Sequence, residues 1–231
     1  MVGYQERLQS IRNEVARACQ RVGRDPRQVH LVGVSKMVGP ETLLALAEAG
    51  ITDLGENRWQ HAREMLSTAE SEKFTWHFIG HLQANKVKDV VRRFSWIHSV
   101  DSVALATEIS RRCAQQGRQI QLLLQVNIAD EAQKFGLPQE KLVEVAERVH
   151  GLPGVVLRGL MTIAPHSEDV SVVRPVFRDL AQWLQRLQQY LGDPQLTELS
   201  MGMSEDFSVA VEEGATMIRI GRRLMVSTES S

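Results

Sequence analysis

The chain has 231 residues, of which 43% are hydrophobic and 24% are charged, and its formal net charge at pH 7 is -1. These values are typical of a soluble globular protein. The balanced charge gives no attraction to polyanions or to an anionic membrane surface, so neither nucleic acid nor a membrane is expected as a partner.

The cysteines and the N-terminal residues indicate the compartment. Cys19 and Cys113 lie far apart, so the sequence contains neither a disulfide framework nor a zinc-binding spacing. Residues 1–24 have the pattern of an amphipathic helix and lack the apolar centre of a signal peptide. No apolar run is long enough to span a bilayer. We therefore expect a cytoplasmic protein.

After this first helix, strand-like apolar runs alternate with helical patterns along the chain. Strands are predicted at 30–36, 51–57, 76–80, 96–100, 121–128, 155–163, 196–201 and 217–221. Helices are predicted near 40–49, 58–68, 83–93, 102–116, 138–149, 171–190 and 204–213, and loose segments at 165–170 and 222–231. Strands that alternate with helices imply parallel pairing and right-handed crossovers.

Eight such strand–helix units predict a single (β/α)8 TIM barrel domain over residues 1–231, with an extra N-terminal helix. A doubly wound open sheet is the alternative, and it usually carries a glycine-rich phosphate loop after its first strand. Neither G-x-G-x-x-G nor a Walker loop occurs in this sequence, which favours the barrel.

Lys36 stands at the carboxyl end of the first predicted strand, where an apolar run ends in a cation. Lysine is rarely buried without a partner or a function. At the edge of an apolar site its amine can become a nucleophile that condenses with an aldehyde. A surface lysine whose stem lies along the strand end is the alternative.

In a barrel of this class the active site lies at the carboxyl ends of the strands, and in this sequence those ends are polar. The candidate side chains, in chain order, are Ser35, Lys36, Glu56, Asn57, His81, Gln83, Asn85, Asn127, Thr162, Ser200, Ser204 and Arg219. This concentration of hydrogen-bonding groups predicts a ligand site at that face.

The segment after the seventh strand is a candidate phosphate site. Ser200 and Ser204 lie on either side of Gly202, which lets the backbone approach a ligand closely. Ser204 is also a candidate N-cap of the following helix, and the two roles are compatible.

Arg219 lies between two isoleucines of the eighth strand, so strand alternation points it away from both. If the isoleucines face the helices, Arg219 points into the barrel and needs a partner, either Glu56 or another inward carboxylate, or a ligand atom. Gly221 then leads into Arg222 and Arg223, which either flank the site or form a solvated basic pair.

His77 and His81 are four residues apart, a spacing that suits a metal ion on a helix. This segment is predicted to be strand and loop, so no metal site is expected. Met201 and Met203 either line a pocket or fill the core.

Eight sequence fragments support a more specific interpretation. In order along the chain they are LVGVSK, LGEN, WHFIGHLQANK, IHSVDS, QVNI, RGLMTIAP, LSMGMSEDF and GATMIRIG. Together they resemble the pyridoxal-phosphate homeostasis protein family. The resemblance implies a barrel related to the N-terminal domain of bacterial alanine racemase. It also implies that this chain binds pyridoxal 5′-phosphate (PLP) as an imine.

The resemblance also implies roles for individual residues around the cofactor ring. Lys36 matches the Schiff-base lysine. Asn57 would lie beside the cofactor, His77 would lie near the pyridine ring, and Arg219 would face the ring nitrogen.

At the phosphate end, the resemblance implies that Ser200, Met203 and Ser204 line the site. Gly221 and the backbone N–H of Arg222 would hold the phosphate. Here the sequence departs from the family pattern R-I-G-[TS]-x-[IL]-F-G, because this chain reads RIGRRLMV. An arginine replaces the usual small hydroxyl residue, so the hydroxyl contact to the phosphate is missing, and the backbone contacts at 221–222 are expected to remain.

The chemistry of the residues argues against robust catalysis, and no catalytic residue is expected. Arg219 next to the ring nitrogen disfavours its protonation, on which the electron sink of PLP depends. The only tyrosines, Tyr4 and Tyr190, lie in predicted helices away from the strand ends. These features fit a carrier or regulator of PLP, which is the role that the resemblance implies.

Other functions remain open at this stage. A PLP-dependent amino-acid racemase-like enzyme and a Schiff-base aldolase are the enzymatic alternatives, and a protein-interaction module whose cofactor sets its affinity is the third. Apo PLP enzymes or regulatory proteins are the candidate protein partners. The resemblance favours a monomer.

Overall fold

The computed structural model describes residues 3–130, 135–167 and 169–226. Its centre is a closed barrel of parallel strands, in which the eighth strand pairs with the first. The strands are β1 (His30–Val34), β2 (Asp53–Glu56), β3 (Thr75–Phe78), β4 (Trp96–Val100), β5 (Ile120–Gln125), β6 (Val155–Met161), β7 (Glu198–Ser200) and β8 (Met217–Ile220). The predicted (β/α)8 barrel is confirmed.

Helices surround the barrel and connect its strands. The α-helices are α1 (Tyr4–Arg21), α2 (Leu43–Glu48), α3 (Trp59–Met65), α4 (Val87–Arg93), α5 (Val103–Gln116), α6 (Leu142–His150), α7 (Val170–Leu191), α8 (Phe207–Glu212) and α9 (Arg222–Met225). Short 3-10 helices cover Pro26–Gln28, Pro40–Thr42, Ala69–Lys73, Ala84–Lys86 and Gln139–Lys141. No helix among the described residues is both long and apolar enough to cross a membrane.

Local sequence explains where these helices begin and end. At α5, the Ser102 hydroxyl accepts a hydrogen bond from the Leu105 N–H, and Gly117 ends the helix at a φ of 59°. The hydroxyl satisfies one of the free N–H groups of the first turn, and glycine adopts the left-handed conformation without steric cost.

The end of the chain differs from the prediction of a loose segment at 222–231. Residues 222–225 form α9, because the side chains of Leu224 and Met225 are buried. Both pack over Gly33 of β1, where an added Cβ would lie 3.0 Å from the terminal methyl of Met225. Residues 227–231 lie outside the described residues.

The core has two layers. Most buried apolar side chains lie between the strands and the helices, and this outer layer includes Ile218 and Ile220. A separate small cluster inside the barrel is made of Leu123, Met161 and Met217. Since the two isoleucines belong to the outer layer, alternation along β8 directs Arg219 into the barrel.

Helix α1 is the extra N-terminal helix that the sequence predicts. Its Arg7 donates a 2.7 Å hydrogen bond from Nε to the Leu224 carbonyl, and its Glu14 pairs with Arg223. Beyond the helix, Arg24 donates to the carbonyl of Val211. These contacts tie α1 to α8 and α9, beside the end of the chain that follows β8.

Candidate functional site

A cavity of about 370 Å³ opens at the carboxyl ends of the strands. It is lined by Val34, Lys36, Met37, Asn57, Ile79, Gly80, Ile163, Pro165, His166, Ser167, Met203, Ser204, Glu205, Asp206, Arg219, Gly221 and Arg222. All of the cofactor-binding candidates line it except His77 and Ser200. Its volume falls within the range of small-molecule sites.

Lys36 reaches the cavity because it lies two residues beyond Val34, the last residue of β1. The Ser35 N–H still bonds to the Gly55 carbonyl of β2, at 3.2 Å, and the chain then turns as the Val38 N–H bonds to the Ser35 carbonyl. Val34 and Lys36 line the cavity, whereas the intervening Ser35 hydroxyl donates a 2.5 Å hydrogen bond to Glu56. Lys36 is exposed, and no carboxylate of the described residues forms an ion pair with it.

Glu56 is a fully buried carboxyl group beside this turn. Burial raises its pKa above the ordinary value, although the hydrogen bond from Ser35 and the neighbouring His61 oppose that shift. Nδ1 of His61 lies 3.0 Å from Oε1 of Glu56. Oε2 of Glu56 has no hydrogen-bond partner among the described residues. The suggested pair between Arg219 and Glu56 is wrong, because Arg219 bonds elsewhere in the barrel.

Asn57 lies where the loops after β2 and β3 come close together. A Cβ on Gly80 would lie only 2.2 Å from the carbonyl oxygen of Asn57, so a glycine is required at this crossing. The contact places Asn57 and Gly80 side by side in the cavity wall.

The loop between β7 and α8 forms another part of the wall. Gly202 has a φ of 89°, and an added Cβ would lie 2.6 Å from the Cβ of Ala210, so the position favours glycine on both grounds. Asp206, the residue before α8, accepts a 2.5 Å hydrogen bond from the Met203 N–H. The prediction that Ser204 caps this helix is therefore wrong. Its hydroxyl has no hydrogen-bond partner among the described residues.

The loop after β8 contributes Gly221 and Arg222 to the cavity. The Arg222 guanidinium is exposed and lies 3.4 Å from Glu205, which also lines the cavity. Arg223 instead pairs with Glu14 and lies over the ring of Phe207. The predicted basic pair is therefore divided, because one arginine faces the site and the other anchors α1.

Arg219 is the buried cation of the site. Nη1 donates a 2.7 Å hydrogen bond to the Ser200 hydroxyl, and Nη2 donates a 2.9 Å bond to the Thr162 carbonyl. Burial lowers the pKa of Arg219 to about 10, and the nearby Asp206 carboxylate opposes that shift. The guanidinium therefore remains charged at neutral pH.

His77 and Ser200 lie inside the barrel and do not line the cavity. Nδ1 of His98 lies 2.8 Å from the Ser200 hydroxyl, and Nε2 of His98 lies 2.9 Å from Nδ1 of His77. Nε2 of His77 lies 3.0 Å from Oδ1 of Asp53. His77 and Ser200 are thus linked to the cavity only through Arg219. The described residues contain no group of three side chains arranged to hold a metal ion.

Three residues of the candidate site were missed by the sequence interpretation. His166 and Ser167 line the cavity from a segment predicted only to be loose, although their position in the loop that follows β6 could have identified them. His98 is fully buried in β4, at a position that alternation with Trp96 directs into the barrel.

The chain is similar to known proteins over nearly its whole length. The alanine racemase N-terminal domain family matches residues 7–228. A pyridoxal phosphate homeostasis protein of Aquifex aeolicus is 41% identical over 219 residues, which cover 95% of this chain and 96% of that protein.

Two solved structures of PipY from Synechococcus elongatus are also similar, each at 36% sequence identity. The structure without PLP has a TM-score of 0.87 and covers 98% of this chain and 100% of that chain. The structure with PLP bound has a TM-score of 0.83 and covers 96% of this chain and 100% of that chain. This chain belongs to the alanine racemase N-terminal domain family and, within it, to the family of pyridoxal phosphate homeostasis proteins.

Proposed function

We propose that this protein binds PLP in its cavity, holds it as an imine on Lys36, and acts in cellular vitamin B6 homeostasis as a carrier or regulator. The observation that carries the proposal is that one cavity contains the Lys36 amine and the buried Arg219 guanidinium. The PLP-bound PipY structure supports the choice of cofactor. Residues 1–231 would act as one PLP-binding domain.

The residues present fit this group. PLP needs an amine for its aldehyde, donors for its phosphate and a partner for its ring nitrogen. Lys36 would supply the amine, and Arg219 would face the ring nitrogen, with Asn57 beside the ring. The cavity volume of about 370 Å³ is of small-molecule size.

The phosphate would be held by residues after β7 and β8. Ser204 has a hydroxyl free to donate, and the backbone at Gly221 and Arg222 lies in the same wall. Glu205 and Asp206 also line this region and would repel an anion. Arg222 would offset that repulsion, which gives a physical reason for an arginine where the family has a small hydroxyl residue.

Slow chemistry follows from the same geometry. When bound, PLP supplies an electron sink that works best with a protonated ring nitrogen. Arg219 carries a positive charge in a buried setting, where it would disfavour that protonation. The protein would therefore retain PLP without efficient turnover.

The biological setting is part of the proposal. We place the protein in the cytoplasm, since Cys19 and Cys113 are both free thiols. We further propose a monomer that gives PLP to apo PLP enzymes or signals to regulatory proteins. Met37 and Ile163 are 40% and 37% exposed at the cavity wall, where a partner could contact them.

The experiment combines absorbance with covalent trapping. PLP added to the purified protein should produce a visible absorption band, and borohydride reduction followed by peptide mass spectrometry should locate the adduct on Lys36. Lys36→Ala should lose the adduct, whereas Lys88→Ala, a change on the exposed side of α4, should keep it. An adduct found only on another lysine, such as Lys134, which lies outside the described residues, would refute the assignment.

An amino-acid racemase-like enzyme is the second candidate. His166 favours it, because this imidazole lines the cavity and could exchange a proton with a bound amino acid. Measurement of D-alanine formed from L-alanine separates the two functions.

A further inference from the structure

The interior of the barrel contains a continuous row of polar side chains that links its two ends. It begins at Arg219 in the cavity wall, passes through Ser200, His98 and His77, and ends at Asp53. The four hydrogen-bonding distances along the row are 2.7, 2.8, 2.9 and 3.0 Å.

The two ends of the row define the direction of every hydrogen bond in it. A guanidinium can only donate hydrogen bonds, and an ionised carboxylate can only accept them. Burial would raise the pKa of Asp53, but hydrogen bonds from His77 and Thr52 outweigh it and leave the pKa below the ordinary value. Asp53 is therefore ionised at neutral pH, and Nε2 of His77 must carry the proton that it receives.

The proton position on His77 then determines the donor and the acceptor of each further hydrogen bond in the row. Because His77 is protonated on Nε2, its Nδ1 is an acceptor, and Nε2 of His98 must donate to it. Nδ1 of His98 is then an acceptor for the Ser200 O–H. The hydroxyl oxygen of Ser200 is left with lone pairs to accept from Arg219.

Both imidazoles are neutral in this arrangement. Burial lowers the pKa of His98 well below its usual range, and the proximity of His77 and Arg219 lowers it further. Burial also lowers the pKa of His77, although Asp53 opposes the shift. Each ring thus has one donor and one acceptor, as the row requires.

We propose that Asp53, His77, His98 and Ser200 are positioning residues that together form one proton-ordered hydrogen-bond chain fixing the Arg219 guanidinium for contact with the ring of PLP. This inference rests on the proposed function. It adds that the geometry of the cofactor site is controlled from the opposite end of the barrel. Asp53 is the first residue of β2 and does not line the cofactor cavity.

The key variant is Asp53→Asn, which keeps the shape of the side chain and removes the charge. In the cofactor-free protein, ¹⁵N NMR of the histidine rings should show His77 and His98 both protonated on Nε2. In Asp53→Asn the two rings should become mixtures of tautomers. Hydrogen exchange of the Arg219 side chain should become faster in this variant, because its acceptor is no longer fixed.

The same variant should bind PLP about 3–10-fold more weakly, a loss of affinity that corresponds to one weakened hydrogen bond. It should also shift the visible absorption of the bound cofactor. His98→Phe should lower the affinity for PLP more than Asp53→Asn does, and its folding must be checked in the same experiment. The matched control is Met161→Leu, which changes a buried side chain that lies inside the barrel but does not belong to the hydrogen-bond chain. It should leave the tautomers and the PLP affinity unchanged.

Three results would overturn the inference. Either histidine protonated on Nδ1 in the unmodified protein would contradict the proton order. Unchanged PLP affinity and absorption in Asp53→Asn would contradict the positioning role, as would an equal effect of Met161→Leu. Failure of the unmodified protein to bind PLP would instead refute the proposed function and with it the positioning role, while the NMR measurement on the cofactor-free protein would still decide the proton order.

Discussion

Nη1 of Arg219 donates a 2.7 Å hydrogen bond to the hydroxyl of Ser200, and the same hydroxyl lies 2.8 Å from Nδ1 of His98. The Ser200 oxygen is thus engaged on both sides within the barrel. Ser204, four residues later, lines the cavity, and its hydroxyl has no partner among the described residues. Two serines of one short motif therefore have different physical tasks.

The two serines should respond differently to alanine substitution. Ser200→Ala leaves donors and acceptors of Arg219 and His98 unpaired in the interior, which should lower the free energy of unfolding of the cofactor-free protein by about 1–3 kcal/mol. Ser204→Ala should leave that free energy unchanged and weaken the binding of PLP. Urea denaturation and PLP titration measure the two effects, and an equal loss of stability in both variants would show that the distinction is incorrect.

A second prediction concerns the arginine that replaces the family's hydroxyl residue. Arg222→Ala should lower the affinity for PLP by about 2–5-fold at low salt, since the loss is that of one exposed cation, whose contribution is small and is screened by salt. Its affinity for pyridoxal, which has no phosphate, should not change.

The adjacent Arg223 is the matched control for this measurement. Arg223→Ala breaks the pair with Glu14 and should lower stability with no effect on PLP affinity. If Arg222→Ala does not weaken PLP binding, or if Arg223→Ala weakens it equally, the assignment of the phosphate contact to Arg222 is wrong.

The sequence predicted the barrel well because its strands are apolar and regularly spaced. The predicted strand at 96–100 coincides with β4. Strand alternation showed that Arg219 faces opposite to its two isoleucine neighbours, and the structure supplied the missing fact that both isoleucines face the helices.

The contacts inside the barrel could not be predicted in the same way. Ser200 and His98 are 102 positions apart in sequence, and their contact depends on the closure of the barrel. The motif LSMGMS could not show which of its serines faces inward, because the chain leaves the strand after Ser200 and turns at Gly202.

A third prediction is that His98 makes stability depend on pH. Its pKa in the folded protein lies well below the ordinary 6.5, chiefly because it is buried. The unfolded chain therefore binds more protons below about pH 6.5, and the stability that neutral His98 confers is present above that pH and lost as the pH falls. The loss is at most about 1.4 kcal/mol per pH unit for one group.

The contribution of His98 is isolated by comparison with His98→Gln. The pKa of Glu56 is shifted in the opposite direction: it is raised, which favours the folded protein as the pH falls through that raised value. The pKa of His77 is lowered, as is that of His98. Between about pH 7.5 and about pH 5.5, the free energy of unfolding should therefore decrease more steeply in the unmodified protein than in His98→Gln. Parallel curves would show that His98 does not titrate as inferred.

The last prediction is that the PLP-loaded protein does not turn over amino acids at an ordinary enzymatic rate. Tyr4 lies in α1, Tyr190 is 57% exposed in α7, and neither lines the cavity. His166 does line it and could serve as a base, so the prediction depends chiefly on the positive charge of Arg219, which weakens stabilisation of a carbanion. Incubation with L-alanine, followed by chiral chromatography, should yield D-alanine far more slowly than the common kcat of about 10 s⁻¹. Turnover near that rate, abolished by His166→Gln, would instead establish a racemase in which His166 exchanges the proton.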